Sequence, residues 1–107
     1  MPVSNKIDIY FGMASHEIGS LAIAKIQKFA TEIAKLGPDI SVTVTGYAQP
    51  TPGSEATDGA LSQRRAAEVA HILRLAGVTT TVEYLGAGRA AKNVPASRYV
   101  EIVAANK

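Results

Sequence analysis

Apolar and polar residues alternate with period two near the start of the chain. Ile7, Ile9 and Phe11 fall on one side and Asp8 and Tyr10 on the other, which predicts a half-buried strand. Gly12 to Gly19 reads as a connection, with Gly19 or Ser20 opening the next element. From Leu21 to Leu36 the period lengthens. Ala22, Ile26, Phe29, Ala30 and Ile33 recur at spacings of three and four, Lys25, Lys28, Glu32 and Lys35 take the other side, and Gly37-Pro38 stops the helix. Alternation returns at Ile40 to Thr45, with Val42 and Val44 facing one way and Thr43 and Thr45 the other. A loop follows at Pro50, Pro52 and Gly53. Asp58 is the expected N-cap of a second helix, Leu61 to Ala76, whose apolar stripe is Leu61, Val69, Leu73 and Ala76 and which ends at Gly77. Two more strands complete the chain: Val82 and Tyr84 against Thr81 and Glu83, then Val100 and Ile102 against Tyr99, Glu101 and Val103.

The order is strand, helix, strand, helix, strand, strand. Strand–helix–strand units favour parallel pairing with right-handed crossovers, and the short last connection allows an antiparallel pair. Each strand keeps one polar face, so helices are expected on only one side of the sheet. The predicted class is α+β: a βαβαββ two-layer sandwich with two helices on one face of a four-stranded mixed sheet. A ferredoxin-like arrangement requires strand, helix, strand, strand, helix, strand, which this chain lacks.

Arg65 interrupts the apolar stripe of the second helix between Leu61 and Val69. Either it lies at the stripe's edge, with its stem packed and its head in water, or it is a cation held at the mouth of a cleft. A long loop running into a helix N-terminus favours an anion there. Arg64 points elsewhere and reads as a surface charge. The rest of the composition narrows the chemistry. The 107 residues suit one domain, and 47% apolar content supports a single modest core. There is no cysteine, and the net charge of +2 without long basic runs gives no reason to invoke nucleic acid. No stretch is apolar enough to cross a membrane, and Met1 to Ser4 lead straight into a strand without a secretory signal. His16 and His71 lack ligand-type spacing, so neither a metal nor a cofactor is expected. With no nucleotide-binding fingerprint and no nucleophile beside a base, the chain reads as a binding module, not an enzyme.

Four runs carry a family resemblance. Leu61-Ser62-Gln63-Arg64-Arg65-Ala66 resembles the LSxxRA helix start of OmpA-like peptidoglycan-binding domains. Gly46-Tyr47-Ala48-Gln49 falls where that family has its GHTD-type turn, Gly86-Ala87-Gly88-Arg89 resembles its GxGE turn, and Ser97 to Ile102 resembles its terminal NRRVEI strand. The match in order and spacing spans nearly the whole chain. It implies a single OmpA-like domain over residues 1–107, a fragment of a longer exported protein of the cell envelope, periplasmic or facing the cell wall.

The resemblance also implies a ligand. OmpA-like domains hold the peptide stem of peptidoglycan non-covalently, gripping both ends of the diaminopimelate side-chain zwitterion. The arginine before the alanine of LSxxRA binds the carboxylate, and here that is Arg65. The aspartate of the GHTD-type turn binds the ammonium, but here the position is Gln49, which has no charge. Charge-assisted bonds are roughly twice as strong as neutral ones, so the loss is worth about 1–3 kcal/mol. Asp58 stands in place of the family's usual asparagine and, with Glu55, is a nearby carboxylate able to compensate. In the last strand Ser97 and Tyr99 replace the family's asparagine and second arginine, while Arg98 survives. The expected binding set is therefore Arg65, Gln49, Asp58, Tyr47 and Arg98. The expected function is anchoring a parent protein to diaminopimelate-type peptidoglycan with weakened affinity. The alternative is a scaffold that has lost wall binding and serves as a protein–protein module in the envelope.

Overall fold

A computed structural model of the chain describes residues 4–11, 18–36, 39–48, 55–89 and 98–106. The elements are β1 (Ser4–Tyr10), α1 (Ser20–Ala34), β2 (Ile40–Ala48), α2 (Glu55–Leu75), β3 (Val82–Arg89) and β4 (Tyr99–Asn106). Both helices and all four strands occur in the order the periodicity predicts. The expected stop at Gly37-Pro38, the loop at Pro50 to Gly53, His16 and Gln49 lie outside the described residues.

The sheet order is β1-β4-β2-β3. β2 and β3 are parallel neighbours joined through α2, and β4 runs antiparallel to both β1 and β2. The short connection before β4 therefore does not produce a β3–β4 hairpin. β4 inserts between β1 and β2, so β1 and β2 run in the same direction without touching. Central placement is consistent with β4's side chains: Val100, Ile102 and Ala104 are each fully buried.

Both helices cover the same face. Ile26, Phe29, Ala30 and Ile33 of α1 and Ala66, Val69, Ala70 and Leu73 of α2 share one cluster with Ile9, Val42, Val44, Val82, Val100 and Ile102. Of the apolar positions that the alternation and helical period mark, most are in that cluster, Ile7 and Ala22 are half-buried at its margin, and Tyr84 is exposed. The opposite face carries exposed Thr43 and Glu83 and half-buried Asp8 and Glu101, with Lys6 Nζ 3.1 Å from Glu101 Oε2. At one end of that face Tyr10, Tyr99 and Tyr47 form a row, with ring centroids 6.0 Å apart for Tyr10–Tyr99 and 4.6 Å for the stacked Tyr99–Tyr47 pair. On the outer edge of the sheet, Lys25 of α1 donates to the Asp8 carbonyl at 2.8 Å, which occupies an acceptor that would otherwise template another strand.

The second helix ends in a Schellman turn. Val78 N–H reaches the Leu73 carbonyl at 3.1 Å and Gly77 N–H the Arg74 carbonyl at 3.1 Å, with Gly77 at φ +99°, where a side chain would be strained. Its start differs from expectation. α2 begins at Glu55, so Asp58 sits inside its opening turn and is not the cap. The residues from Glu55 to Thr57 carry no apolar period, which hides the first turn from a pattern reading. A carboxylate there still gains from the positive end of the helix dipole.

Candidate functional site

α2 lies unusually low on the sheet, and glycines permit it. A Cβ on Gly46 of β2 would come within 3.0 Å of the Ser62 carbonyl carbon and 3.2 Å of the Ala66 nitrogen, and closer still to the Ser62 carbonyl oxygen. A Cβ on Gly86 of β3 would sit 2.5 Å from both the Gln63 nitrogen and Ser62 Oγ. The helix uses this closeness. Gly86 N–H donates to Gln63 Oε1 at 2.7 Å and Gly88 N–H to Ser62 Oγ at 2.9 Å, while Ser62 Oγ donates to the Gly59 carbonyl at 2.8 Å. Ser62 and Gln63 thus dock the helix onto β3. Gly86 to Gly88, which the resemblance reads as a turn, belong to that strand, which continues to Arg89. Sequence reasoning missed this positioning set. The signal available was two glycines, at the ends of both parallel strands, facing a serine on the helix stripe.

This docking buries Arg65. It has no exposed surface and is the largest fully buried side chain among the described residues. The reading that places its head in water is therefore wrong, and so is that of a head standing in an open cleft mouth. Docked this closely, α2 turns Arg65 inward together with Ser62, Ala66, Val69, Ala70 and Leu73. Leu61, expected on the stripe, is only half-buried and Ala76 is exposed. Arg65 Nη1 donates to the Tyr47 carbonyl at 2.9 Å, and its guanidinium carbon lies 5.2 Å from the centre of the Phe11 ring, within cation–π range.

Two charged neighbours complete the picture. Burial pushes the Arg65 pKa down, the positive charge of Arg98 pushes it the same way, and the carboxylate of Asp58 opposes both. Asp58 is itself buried, at 4% exposure. Arg98 is half-buried at the entry to β4, and its carbonyl accepts from Phe11 N–H at 2.8 Å, which holds Phe11 under the Arg65 head. Tyr47 is half-buried and its ring stacks on Tyr99, whose phenol pKa is raised by burial first and then by the neighbouring Tyr47, Glu101 and Asp8. The structure therefore gathers Arg65, Asp58 and Arg98 with the Tyr47 carbonyl at one end of the sheet, while the Tyr47 ring lies on the opposite, uncovered face. Gln49 is outside the described residues. Arg64, by contrast, is exposed, and so is His71. Among the described residues no group of three His, Cys, Asp or Glu side chains is placed to hold a metal. Among them, too, no helix is long and apolar enough to cross a membrane.

Comparison with known proteins places this geometry. The OmpA family matches residues 10–105. The chain belongs to the OmpA family. Its fold is shared by the C-terminal domain of Helicobacter pylori MotB, with a TM-score of 0.83, 23% identity, and coverage of 94% of this chain and 85% of that one. The OmpA-like domain of FopA1 from Francisella tularensis gives a TM-score of 0.78 at 24% identity, covering 98% of this chain and 75% of that one. The peptidoglycan-associated lipoprotein of Burkholderia pseudomallei gives 0.76 at 25% identity, covering 91% and 88%. No curated protein matches the sequence.

Proposed function

We propose that this domain binds the peptide stem of peptidoglycan non-covalently and anchors a longer exported protein to the cell wall. The observation that carries this reading is Arg65. It occupies the arginine position of the LSxxRA motif in a chain that belongs to the OmpA family, and a similar structure is named for its association with peptidoglycan. The guanidinium is held against the Tyr47 carbonyl and the Phe11 ring, next to a second arginine. Such a surplus of positive charge in a low-dielectric setting suits a carboxylate, which a guanidinium fork binds through two parallel bonds. Gln49, with its neutral oxygen, is the acceptor for the ligand's ammonium. No catalytic role is assigned to any of these groups. The domain's place is the periplasmic or wall-facing side of the envelope.

One observation favours the second reading, an envelope protein–protein module. Arg65 has no exposed surface, so a ligand carboxylate reaches it only by displacing a neighbour. Pull-down with purified insoluble cell wall separates the two. The parent domain is expected to be retained, Arg64→Ala to be retained equally, Arg65→Met to be lost, and Arg65→Lys to be retained partially, because lysine lacks the fork. Circular dichroism confirms folding for each. Retention of Arg65→Met at the parent level refutes the carboxylate role, and a parent that binds no wall of any type leaves the protein–protein reading in its place.

A further inference from the structure

A buried carboxylate, Asp58, and a buried guanidinium, Arg65, project from one face of α2. Asp58, Ser62 and Arg65 stand at spacings of four and three, so all three project from the same side of α2, and all three are buried. Side chains on a helix lean toward its N-terminus, which directs the long arginine back toward Asp58 across a rise of about 10 Å that the two side chains share. The Asp58 carboxylate favours the charged form of Arg65, whereas Arg98 disfavours it. Asp58, Arg65 and Arg98 together sum to one positive charge.

We propose that Asp58 is the resident counterion of Arg65, and that a ligand carboxylate binds this site by competing with it. Residue 58 then determines how tightly the site takes carboxylate ligands. This rests on the reading of Arg65 as the carboxylate site. A carboxylate at position 58 already satisfies part of the guanidinium and repels a second anion. An asparagine of the same shape keeps the packing and a neutral acceptor but gives up the competing charge. The difference between a charge-assisted and a neutral bond corresponds to a roughly tenfold gain in carboxylate affinity.

The test uses 15N-labelled domain and follows the Arg65 Nε–H resonance. The probes are acetate and meso-diaminopimelate, titrated into the parent, Asp58→Asn, Asp58→Ser and Arg65→Met, with circular dichroism as the folding control. Without ligand, Asp58→Asn is expected to shift the Arg65 Nε–H signal. With ligand, Asp58→Asn and Asp58→Ser are both expected to bind acetate about tenfold more tightly than the parent. An unmoved Nε–H signal overturns the pairing. Unchanged or weaker binding in both Asp58 variants overturns the competition, and weaker diaminopimelate binding in particular would make Asp58 the acceptor for the ligand's ammonium instead. Loss of binding in Arg65→Met with no gain in the Asp58 variants refutes the counterion role alone. Equal binding by Arg65→Met and the parent refutes the underlying carboxylate site as well.

Discussion

Gly46→Ala is the substitution the fold should tolerate least for its size. Gly46 lies on β2, with β4 on one side and β3 on the other, so the strand cannot retreat. The added methyl would meet helix backbone: the Ser62 carbonyl carbon at 3.0 Å, the Ala66 nitrogen at 3.2 Å, and the Ser62 oxygen at a distance no carbon atom occupies. Backbone cannot swing aside as a side chain does, so α2 must lift by roughly 1 Å, an overpacking that costs about 1–3 kcal/mol. That lift also stretches the bonds from Gly86 to Gln63 and from Gly88 to Ser62, now 2.7 and 2.9 Å, each worth about 1 kcal/mol. A total of about 3–5 kcal/mol lowers the melting temperature by roughly 12–40 °C in a domain of this size. Thermal and urea melts followed by circular dichroism read it directly. The control is Gly59→Ala on the same helix, where a Cβ meets nothing within 4 Å and a gain of about 0.5–1 kcal/mol is expected. A Gly46→Ala domain that loses less than about 1 kcal/mol would refute the close docking of α2, and with it the account of how Arg65 comes to be buried.

Ser62→Ala should cost about 1–3 kcal/mol in the same melts, because it strands the Gly88 N–H that Ser62 Oγ now accepts. Lys6→Ala should leave the melting temperature unchanged, since its partner Glu101 lies on the open, solvated face of the sheet. Gln49→Asp should strengthen binding of diaminopimelate-type wall fragments in a calorimetric titration by placing a charge opposite the ammonium. No gain would mean that the pocket has diverged at more than this one position.

The strands and helices were legible because burial imposes a period, and where burial was ambiguous the pattern failed. Ala66, Ala70 and Ala104 are buried yet give little signal, since alanine is common on both faces of helices and strands. They are inside because the layers approach closely, and that approach is set by Gly46 and Gly86, two residues with no hydrophobic pattern at all. The position of β4 was illegible for a different reason. Sequence neighbours are the default partners of a strand, and nothing local marks β4 for insertion between β1 and β2. In the candidate site, Arg65 stood out because a charge on an apolar stripe demands an explanation. Its depth did not, because depth depends on how low α2 sits. Asp58 was visible as a residue but misassigned as a cap, because the turn preceding it, Glu55 to Thr57, carries no apolar period.

The depth of Arg65 has an energetic consequence that can be measured without any ligand. Burying a guanidinium is costly unless its donors and its charge are met, and here the Tyr47 carbonyl, the Phe11 ring and Asp58 share that task. Arg65→Met keeps the volume but leaves the buried Asp58 carboxylate without its neighbour and the Tyr47 carbonyl without its donor. Breaking a buried pair from one side typically costs about 3–5 kcal/mol. Arg98, half-buried nearby, offsets part of the stranded charge, so the low end of that range is expected. If the cost arises from Asp58, then Asp58→Asn in the same molecule should recover some of it. The double variant should be more stable than the sum of the two single losses by about 1–2 kcal/mol, within the span of coupling energies for groups in contact. A cycle of urea melts on the four proteins gives this number. Strict additivity would mean that the two buried groups do not sense each other, and the stabilisation of Arg65 would then have to come from its other neighbours, the Tyr47 carbonyl and the Phe11 ring among them.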